Sequence, residues 1–558
     1  MMDRNKYFTR WGQLKTERAS YISHWKEISE YILPRSGRFF VQDRNKGERR
    51  HNSIYDSTGT KALRILSAGM MAGMTSPARP WFKLATPDKD LMKYAPVKLW
   101  LNDVTHLMLN VFAKSNTYRA LHSAYEELGS FGTAATIVTE DFKNVVHHHS
   151  LTAGEYAIAQ NFKGEVDTLY REFDKTVAQL VKEFGYDKCS TTVKNLFDRG
   201  TLDSWVTIVH CIEPREDRDS RKKDSKNMPF KSVYFEVGAE KDQYLSESGY
   251  ESFPCLTPRW GITGSDIYGN SPAMEALGDI KQLQHEQLRK AQVIDYKTKP
   301  PLQMPTSMKN RDVDSLPGGI TFVDSGAPGG GIRSQFEVNL DLSHLLMDIQ
   351  DVRSRINSSF YADLFLMISS SVNANMTATE VAERHEEKLL MLGPVLERLH
   401  NELLDPLINM TFDRMIKAGI LPPAPEELQG QDLNVEFVSM LSQAQRAVGT
   451  NSTDKFLLGL GQVAQFKPDV LDKFDSDQWV EIYSEDLGVD ARLIIPSDKV
   501  ALIRKERAQA AQQQQQMAAM QQTAMAAKNA SQANTSDKNG LTDLISQFSG
   551  YTIPQGGA

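Results

Sequence analysis

The sequence of 558 residues predicts an α+β protein that is mainly helical. Two long segments, 271–299 and 341–367, repeat apolar residues at helical spacing, and a third begins at residue 377. Runs rich in β-branched and aromatic residues, typical of strands, are concentrated in the first 260 residues. A chain of this length is too long for one compact core. We therefore expect a mixed α+β region, then a helix hairpin, then a helical C-terminal part.

The first region contains helices and strands in alternation. Helices are predicted over 5–32, where Pro34 stops the pattern, over 61–74 behind the capping residues 56–58, over 97–112, over 118–128 with Gly129 closing it, and over 176–184. Strands are predicted over 80–84, 133–139, 156–162, 165–173, 205–212 and 230–237. Lys163 and Gly164 lie between two of these runs and indicate a hairpin turn.

Two helices joined by an irregular insert form the predicted hairpin. The first opens at Ser271 and Pro272, a good N-cap followed by a residue suited to the first turn. No helix breaker follows until Pro300, so this helix would be about 40 Å long. Its narrow apolar stripe requires a partner, which is either the rest of the chain or a second copy of it. An ordinary buried hairpin inside a large enzyme fits the same periodicity.

Beyond the hairpin, residues 368–375 are polar and predict a loop, and Thr377 with Glu380 forms a capping box that opens the longest helix. Pro394 and Pro406 lie inside that helix, and each proline removes a backbone hydrogen bond, so we expect kinks there. A smaller acidic and helical segment is expected to about residue 505. The last fifty residues are low-complexity and predict an Ala/Gln-rich helix followed by a disordered end.

Composition excludes several classes of protein. The net charge of −7 gives no general attraction to nucleic acid, although residues 1–50 carry +6 (12 basic, 6 acidic) and residues 421–500 carry −8 (6 basic, 14 acidic). Three separated cysteines without a CxxC pair argue against a disulfide framework or a zinc site and fit a reducing compartment. No signal peptide is indicated, and the apolar run 65–74 is too short to cross a bilayer. We expect a soluble protein.

No catalytic motif is present, and we predict no catalytic, cofactor-binding or metal-binding residue. The chain lacks a P-loop, and the glycine run 326–331 has no following lysine. The cluster 147–149 of three histidines is the strongest metal candidate. Only His147 and His149 share a face of an extended chain, and no further ligand has matching spacing. A surface or packed strand end is the preferred interpretation.

An ordered series of short motifs resembles the head-to-tail connecting proteins of short-tailed bacteriophages, the phage portals. The matching segments are 54–60 (IYDSTGT), 68–77 (AGMMAGMTSP), 80–84 (PWFKL), 131–134 (FGTA), 170–173 (YREF), 268–273 (YGNSPA), 317–319 (PGG), 376–381 (MTATEV) and 392–394 (LGP). No single motif is specific, but the series follows the family's order over about residues 10–450.

The resemblance implies a ring-shaped homo-oligomer, usually a dodecamer, at one capsid vertex, with DNA passing through its central channel. It implies the portal fold with these parts: wing 1–270, first stem helix 271–299, clip 300–340, second stem helix 341–367, tunnel loop 368–376, long kinked wing-to-crown helix 377–420, crown 421–505, and 506–558 as a barrel helix or a loose tail. The protein would be a virion component assembled in the host cytoplasm.

The same resemblance implies three groups of functional residues. The tunnel loop facing DNA would include Ser369, Ser370, Ser371, Asn373 and Asn375; the clip rim would include Lys297, Lys299, Lys309 and Arg311; stem packing between copies would use Ile280, Leu283, Leu288, Ile349, Val352 and Ile356. Because the loop lacks Lys and Arg, it suits weak, sequence-independent contact with double-stranded DNA.

The implied partners are copies of the chain, DNA, the large terminase, tail adaptor and tail proteins, and the capsid and scaffold proteins, without a membrane. The implied function is genome packaging, retention and ejection, without enzymatic activity. Two alternatives remain at this point, which are another head-tail adaptor or tail structural protein, and a DNA-packaging enzyme. The missing P-loop weighs against the enzyme.

Overall fold

The computed structural model confirms an α+β architecture that is mainly helical. It describes residues 4–39, 53–88, 91–92, 94–219, 221–222, 224–239, 243–299, 301–303, 333–334, 342–369, 392–428, 433–438, 456–486, 495 and 497–532. Capping residues and apolar periodicity account for most of the observed helices.

The helices alternate with strands before the hairpin and dominate after it. They are α1 (Arg4–Tyr31), α2 (Thr58–Met74), α3 (Ala95–Lys114), α4 (Thr117–Phe131), α5 (Val177–Phe184), α6 (Thr191–Asp198), α7 (Pro272–Thr298), α8 (Leu342–Ser359), α9 (Ala362–Ser369), α10 (392–399), α11 (Asp405–Lys417), α12 (456–464), α13 (Ser476–Asp486) and α14 (Ser497–Gln532). The Ala/Gln-rich helix predicted in the C-terminal region corresponds to α14; residues 533–558 lie outside the described part.

The strands form antiparallel sheets. They are β1 (Phe82–Ala85), β2 (Ala135–Asp141), β3 (Val145–Leu151), β4 (Tyr156–Gln160), β5 (Val166–Thr176), β6 (Trp205–Pro214), β7 (Phe230–Glu236), β8 (Ser246–Tyr250), β9 (Cys255–Leu256), β10 (Leu302–Gln303), β11 (Arg333–Ser334) and β12 (Asn434–Phe437). In the described part the sheet orders are β4-β5-β6-β7-β8, β3-β2-β9, β1-β12 and β10-β11. The predicted turn at Lys163 and Gly164 joins β4 to β5.

One large hydrophobic core unites α2, α3 and α4 with the hairpin and the helices that follow it. Two smaller cores flank the five-stranded sheet. In one, Trp11 of α1 packs on Tyr170 of β5, and in the other the short helices α5 and α6 cover Ile208 of β6. The first helix therefore bridges two cores, because its Trp25 is buried in the large one.

The predicted end of the fourth helix at Gly129 is wrong. Helix α4 continues to Phe131, and Gly132, with a φ of 76°, provides the left-handed C-cap. Gly129 has a different purpose, because a Cβ atom there would lie 2.7 Å from Leu63 Cδ1 of α2. The glycine permits two helices to pack closely, a role that resembles termination when only the sequence is known.

The second half of the hairpin is divided, whereas the sequence predicted one helix over 341–367. Helix α8 ends at Ser359, and Tyr361 adopts a φ of 54° before α9 begins at Ala362. The break turns the chain so that Phe360, Leu364 and Phe365 are all buried. Helix α9 then packs on α2 instead of extending α8.

The expected irregularity at Pro406 is present as a π-helical turn over His400–Leu404. The N–H of Asp405 donates to the carbonyl of His400, five residues earlier. Proline cannot donate to the carbonyl of Glu402, and the wider turn accommodates this missing bond. Residues 392–399 are helical around Pro394, while the capping box at Thr377 and Glu380 lies outside the described residues.

Candidate functional site

The hairpin α7–α8 is the candidate functional site, and its base is built as the sequence predicts. The side chain of Ser271 accepts a hydrogen bond from the N–H of Met274 (3.1 Å), and Pro272 occupies the first turn. The hydroxyl of Ser271 also donates to the carbonyl of Ser130 (2.7 Å). The N-terminus of α7 is therefore fixed to the end of α4.

The predicted stem-packing residues are buried inside the subunit. Ile280, Leu283, Ile349, Val352 and Ile356 are at most 2% exposed, and Leu288 is half-buried. They face one another and the helices α2 and α4, which close over the hairpin base. Five of the six side chains thus have little surface left for a neighbouring copy, and their observed role is to stabilise the single chain.

Other apolar side chains of the hairpin are exposed. Met347 is 67% exposed, and Ile294, Tyr296 and Leu346 are between 44% and 47% exposed. These four residues, hereafter the outer patch, lie in the half of α7 and α8 that is farther from the base, on both helices. The outer patch is available for contact with another chain.

Asp56 connects the loop before α2 to both hairpin helices. One carboxylate oxygen accepts hydrogen bonds from Arg353 of α8 (2.7 Å) and Gln287 of α7 (3.0 Å). The other accepts from the N–H and hydroxyl of Thr58. Burial would raise the pKa of Asp56, but the hydrogen bonds from Thr58 and Arg353 outweigh it and lower the pKa below its usual value.

Gln284 reinforces the same junction with both ends of its amide. Its oxygen accepts from the N–H groups of Tyr55 (2.6 Å) and Asp56 (2.7 Å), and its nitrogen donates to the carbonyl of Asp56 (2.9 Å). The side chain is buried, so these bonds are shielded from water. The hairpin base is held by matched polar contacts in addition to its apolar seam.

An acidic pair lies between the hairpin helices. Burial, followed by the neighbouring Asp348 of α8, raises the pKa of Glu286 on α7 above its usual value. The two carboxyl groups interact across the hairpin, and Gln282 donates a hydrogen bond to Glu286 (2.6 Å). Nearby, Arg355 forms an exposed ion pair with Asp279 (3.3 Å).

The π-helical turn places Glu402 against Arg259. One carboxylate oxygen of Glu402 accepts from the backbone N–H of Arg259 (2.9 Å) and the other accepts from its Nη2 (2.8 Å). The Arg259 guanidinium also donates to Gln160 (3.1 Å) and to the carbonyl of Gly164 (2.8 Å). This partly buried network ties the helix after the hairpin to the turn between β4 and β5.

The two other groups of predicted residues are only partly placed. Lys297 lies in the last turn of α7 and Lys299 is its C-cap, and both are exposed. Lys309 and Arg311 lie outside the described residues. Ser369 ends α9, whereas Ser370, Ser371, Asn373 and Asn375 lie outside the described part. The short β10–β11 ladder pairs Leu302 with Ser334 across the predicted clip.

The histidine cluster lies on strand β3, with its middle ring packed inside the protein. On β3, His148 is buried and its backbone and ring are hydrogen-bonded to Asn116 and Thr117, while His147 and His149 are exposed on the opposite face. Burial lowers the pKa of His148 to about 3, so its ring is neutral. The described residues contain no group of three ligands that could hold a metal ion. Among them, no helix is long and apolar enough to cross a membrane.

Sequence reasoning could not identify the partners of Asp56 and Glu402. The capping signal at Asp56 and Thr58 was visible, but Arg353 lies 297 residues further along the chain. Arg259 and Glu402 are 143 residues apart and neither belongs to a recognisable motif. Pro406 was the signal for the irregular turn that positions Glu402.

Comparison with known proteins identifies the family. Residues 4–495 match the family described as "Bacteriophage head to tail connecting protein". The chain is 66% identical over 550 residues to the "Probable portal protein" of Bordetella phage BPP-1, covering 99% of each chain. It is 48% identical over 534 residues to the "Portal protein" of Salmonella phage epsilon15, covering 96% of each.

Two solved structures show a weak likeness at 11% identity. One is the neck of an empty GTA particle computed with C6 symmetry (TM-score 0.36; 82% of this chain and 96% of that chain). The other is the neck of a native GTA particle computed with C12 symmetry (TM-score 0.33; 72% and 85%). The assignment therefore rests on sequence, and it confirms the resemblance in the motif series: this chain belongs to the family of bacteriophage head-to-tail connecting proteins.

Proposed function

We propose that this chain is the subunit of a portal ring at one capsid vertex, through which the genome is packaged, retained and ejected. The observation that carries the proposal is the relationship, over nearly the full length, to two phage proteins named as portals. In this role the ring docks the terminase during packaging and the tail proteins afterwards. Its work is structural, consisting of assembly, docking and the formation of a DNA path.

The ring contact is proposed to use the outer patch and not the five buried stem residues. A neighbouring copy that covers Ile294, Tyr296, Leu346 and Met347 would gain about 1.5–3 kcal/mol for each fully buried large apolar side chain. The hairpin base is already rigid through Asp56 and Gln284, so it presents the patch in a fixed position. Fixed surfaces lose less conformational entropy on association.

The test of this contact is Met347→Glu in the purified full chain. A buried carboxylate without a partner is costly, so the variant is expected to lose the ring while its circular dichroism spectrum remains that of the folded chain. The matched control is Phe142→Glu, in the exposed turn between β2 and β3, which should still form rings. Native mass spectrometry measures the oligomeric state of both variants. Intact rings from Met347→Glu would exclude the outer patch as the contact.

The DNA path is proposed to include the polar segment 368–376, and the rim that docks the terminase and tail is proposed to include Lys297 and Lys299. The exposed lysines lie in the last turn and at the C-cap of α7, where positive charge also complements the helix dipole. Deletion of residues 368–375 should leave rings intact and reduce the amount of DNA retained in assembled particles. Loss of ring formation, measured by negative-stain imaging, would reject the assignment of this segment as a channel loop.

A further inference from the structure

A polar seam separates two hydrophobic cores on one face of the five-stranded sheet. Leu169 and Ile212 belong to the large core at one end of this face, and Ile208 belongs to the core beneath α5 and α6 at the other. Between them, Arg171 of β5 lies directly opposite His210 of β6 in the ladder. Nothing in the proposed portal role accounts for a cationic side chain at this position.

The hydrogen bonds of the seam fix the state of His210. Arg171 Nε donates to His210 Nδ1 (3.2 Å), and a guanidinium can only donate. His210 is therefore neutral, with its proton on Nε2, which donates to Ser232 Oγ (3.0 Å). Burial, and after it Arg171, holds the pKa of His210 well below its usual value. The ring also stacks on Tyr234 at 3.8 Å.

The guanidinium of Arg171 is held in place but its charge is not balanced. It lies over the ring of Phe173, 4.5 Å from the centroid. It also shares a hydrogen bond with the hydroxyl of Tyr234. Of the residues that the structure describes, no carboxylate pairs with it, whereas the nearby Lys175 is paired with Glu183. A fixed, half-buried arginine without a counter-ion is an unusual arrangement.

A second cation lies beside Arg171. Lys175 is on the same face of β5, and its ammonium group lies 5.7 Å from the centroid of the Phe173 ring, over which the Arg171 guanidinium also lies. Burial and then Arg171 lower the pKa of Lys175. Arg171 and Lys175 thus bring two cations together over one aromatic ring on a partly exposed face of the sheet. An anion bound there would remove the repulsion.

We infer that Arg171 and Lys175 form a binding site for a single oxyanion, either a phosphate or a carboxylate group. The planar guanidinium group of arginine can donate two parallel hydrogen bonds to either a phosphate or a carboxylate. The charge available is one unpaired guanidinium and one lysine shared with Glu183. That charge suits one anionic group and is too small for duplex DNA, whose binding requires many phosphate contacts.

The test uses Arg171→Gln in the full chain, with inorganic phosphate as the probe in isothermal titration calorimetry. The native chain is expected to bind phosphate, and the variant to bind at least about tenfold more weakly. Arg64→Gln is the matched control, because Arg64 is an exposed arginine on α2, and it should bind as the native chain does. The site would be overturned if Arg171→Gln bound phosphate as tightly as the native chain does, or if the native chain did not bind phosphate.

A second variant keeps the test valid if Arg171→Gln does not fold. Lys175→Gln keeps Arg171 and removes the second cation of the site, so it should weaken phosphate binding. Unchanged phosphate binding would contradict the inference. Acetate competing with phosphate identifies a carboxylate as an acceptable ligand and supports the site. The single-anion assignment would be overturned if the native chain bound a short DNA duplex with a steep salt dependence and Arg171→Gln abolished that binding.

Discussion

Asp56 shows how one residue can join distant parts of the chain. Its carboxylate contacts α7, α8 and the first turn of α2, and its backbone is held by Gln284. The side chain of Asp56 is only 7% exposed, compared with 31% for Asp279, which forms an ion pair between the two hairpin helices. Buried charged hydrogen bonds contribute more to stability than exposed ones.

Asp56→Asn is therefore expected to destabilise the fold by about 1–3 kcal/mol. Asp279→Asn, at the more accessible ion pair, should cost less than about 1 kcal/mol. The contribution of Asp56 is fully present above its ordinary pKa of about 3.9 and is lost as the pH falls through its lowered value, because the paired form must then be protonated. Urea unfolding of both variants at neutral pH measures the difference, and equal losses would contradict the account.

Glu127 presents the opposite pH behaviour. It is buried beside a polar cavity of about 300 Å³, where it accepts hydrogen bonds from the hydroxyl of Thr152 (2.6 Å) and the N–H of Ala153 (3.1 Å). Burial raises its pKa to about 8, more than these hydrogen bonds lower it. The folded state therefore retains a proton that the unfolded state releases at lower pH.

The stability contributed at Glu127 should fall as the pH rises from about 4.5 to about 8 and then level off. Glu127→Gln removes the ionisation while keeping a similar shape. The stability of the variant relative to the native chain should consequently increase across this pH interval. Thermal unfolding at pH 5, 6.5 and 8 measures it, and a constant difference between the two proteins would show that Glu127 does not titrate in this way.

At the scale of elements, the close approach of α2 and α9 depends on Gly69. A Cβ atom at this position would lie 2.2 Å from Cγ of Phe365, whose side chain is buried. Gly69→Ala should displace α9 and cost about 1–3 kcal/mol. Gly12 of α1 has nothing within 4 Å of its Cβ position, so Gly12→Ala should stabilise by up to about 1 kcal/mol. Unfolding midpoints that shift in the same direction would refute this packing argument.

Elements governed by local chemistry were predicted well from the sequence. Ser271 and Pro272 mark the true start of α7, and Lys163 with Gly164 marks a true hairpin turn. Gly129 misled the prediction because glycine serves both as a helix end and as a site of close packing, and only the presence of Leu63 distinguishes the two. The break at Tyr361 is likewise set by the packing of α9 on α2.

The candidate site was predictable in position but not in detail. Apolar spacing identified the hairpin, yet it could not show which side chains face the chain itself and which face outward. Ile280 and Val352 are buried in the subunit, while Met347 is exposed. We therefore propose the outer patch, and not the periodic stripe, as the contact between copies, because the stripe is already buried inside the subunit.

At the scale of the whole molecule, the described part of the chain combines firmly anchored elements with exposed apolar surfaces, as expected for a subunit of an assembly. The hairpin base is anchored to the large core by Asp56 and Gln284, and the π-helical turn is anchored to the sheet by Arg259 and Glu402. The outer patch and the C-terminal helix α14 expose apolar side chains instead. A closed ring would cover such surfaces with different, complementary surfaces of neighbouring copies.

The most direct measurement of the central claim is the mass and top-view symmetry of the purified protein, alone and with scaffold and capsid proteins. Native mass spectrometry with negative-stain imaging provides both. The account predicts a closed ring with a central hole, dodecameric as the family resemblance implies. A chain that remains monomeric or dimeric even with scaffold and capsid proteins present would contradict the portal function.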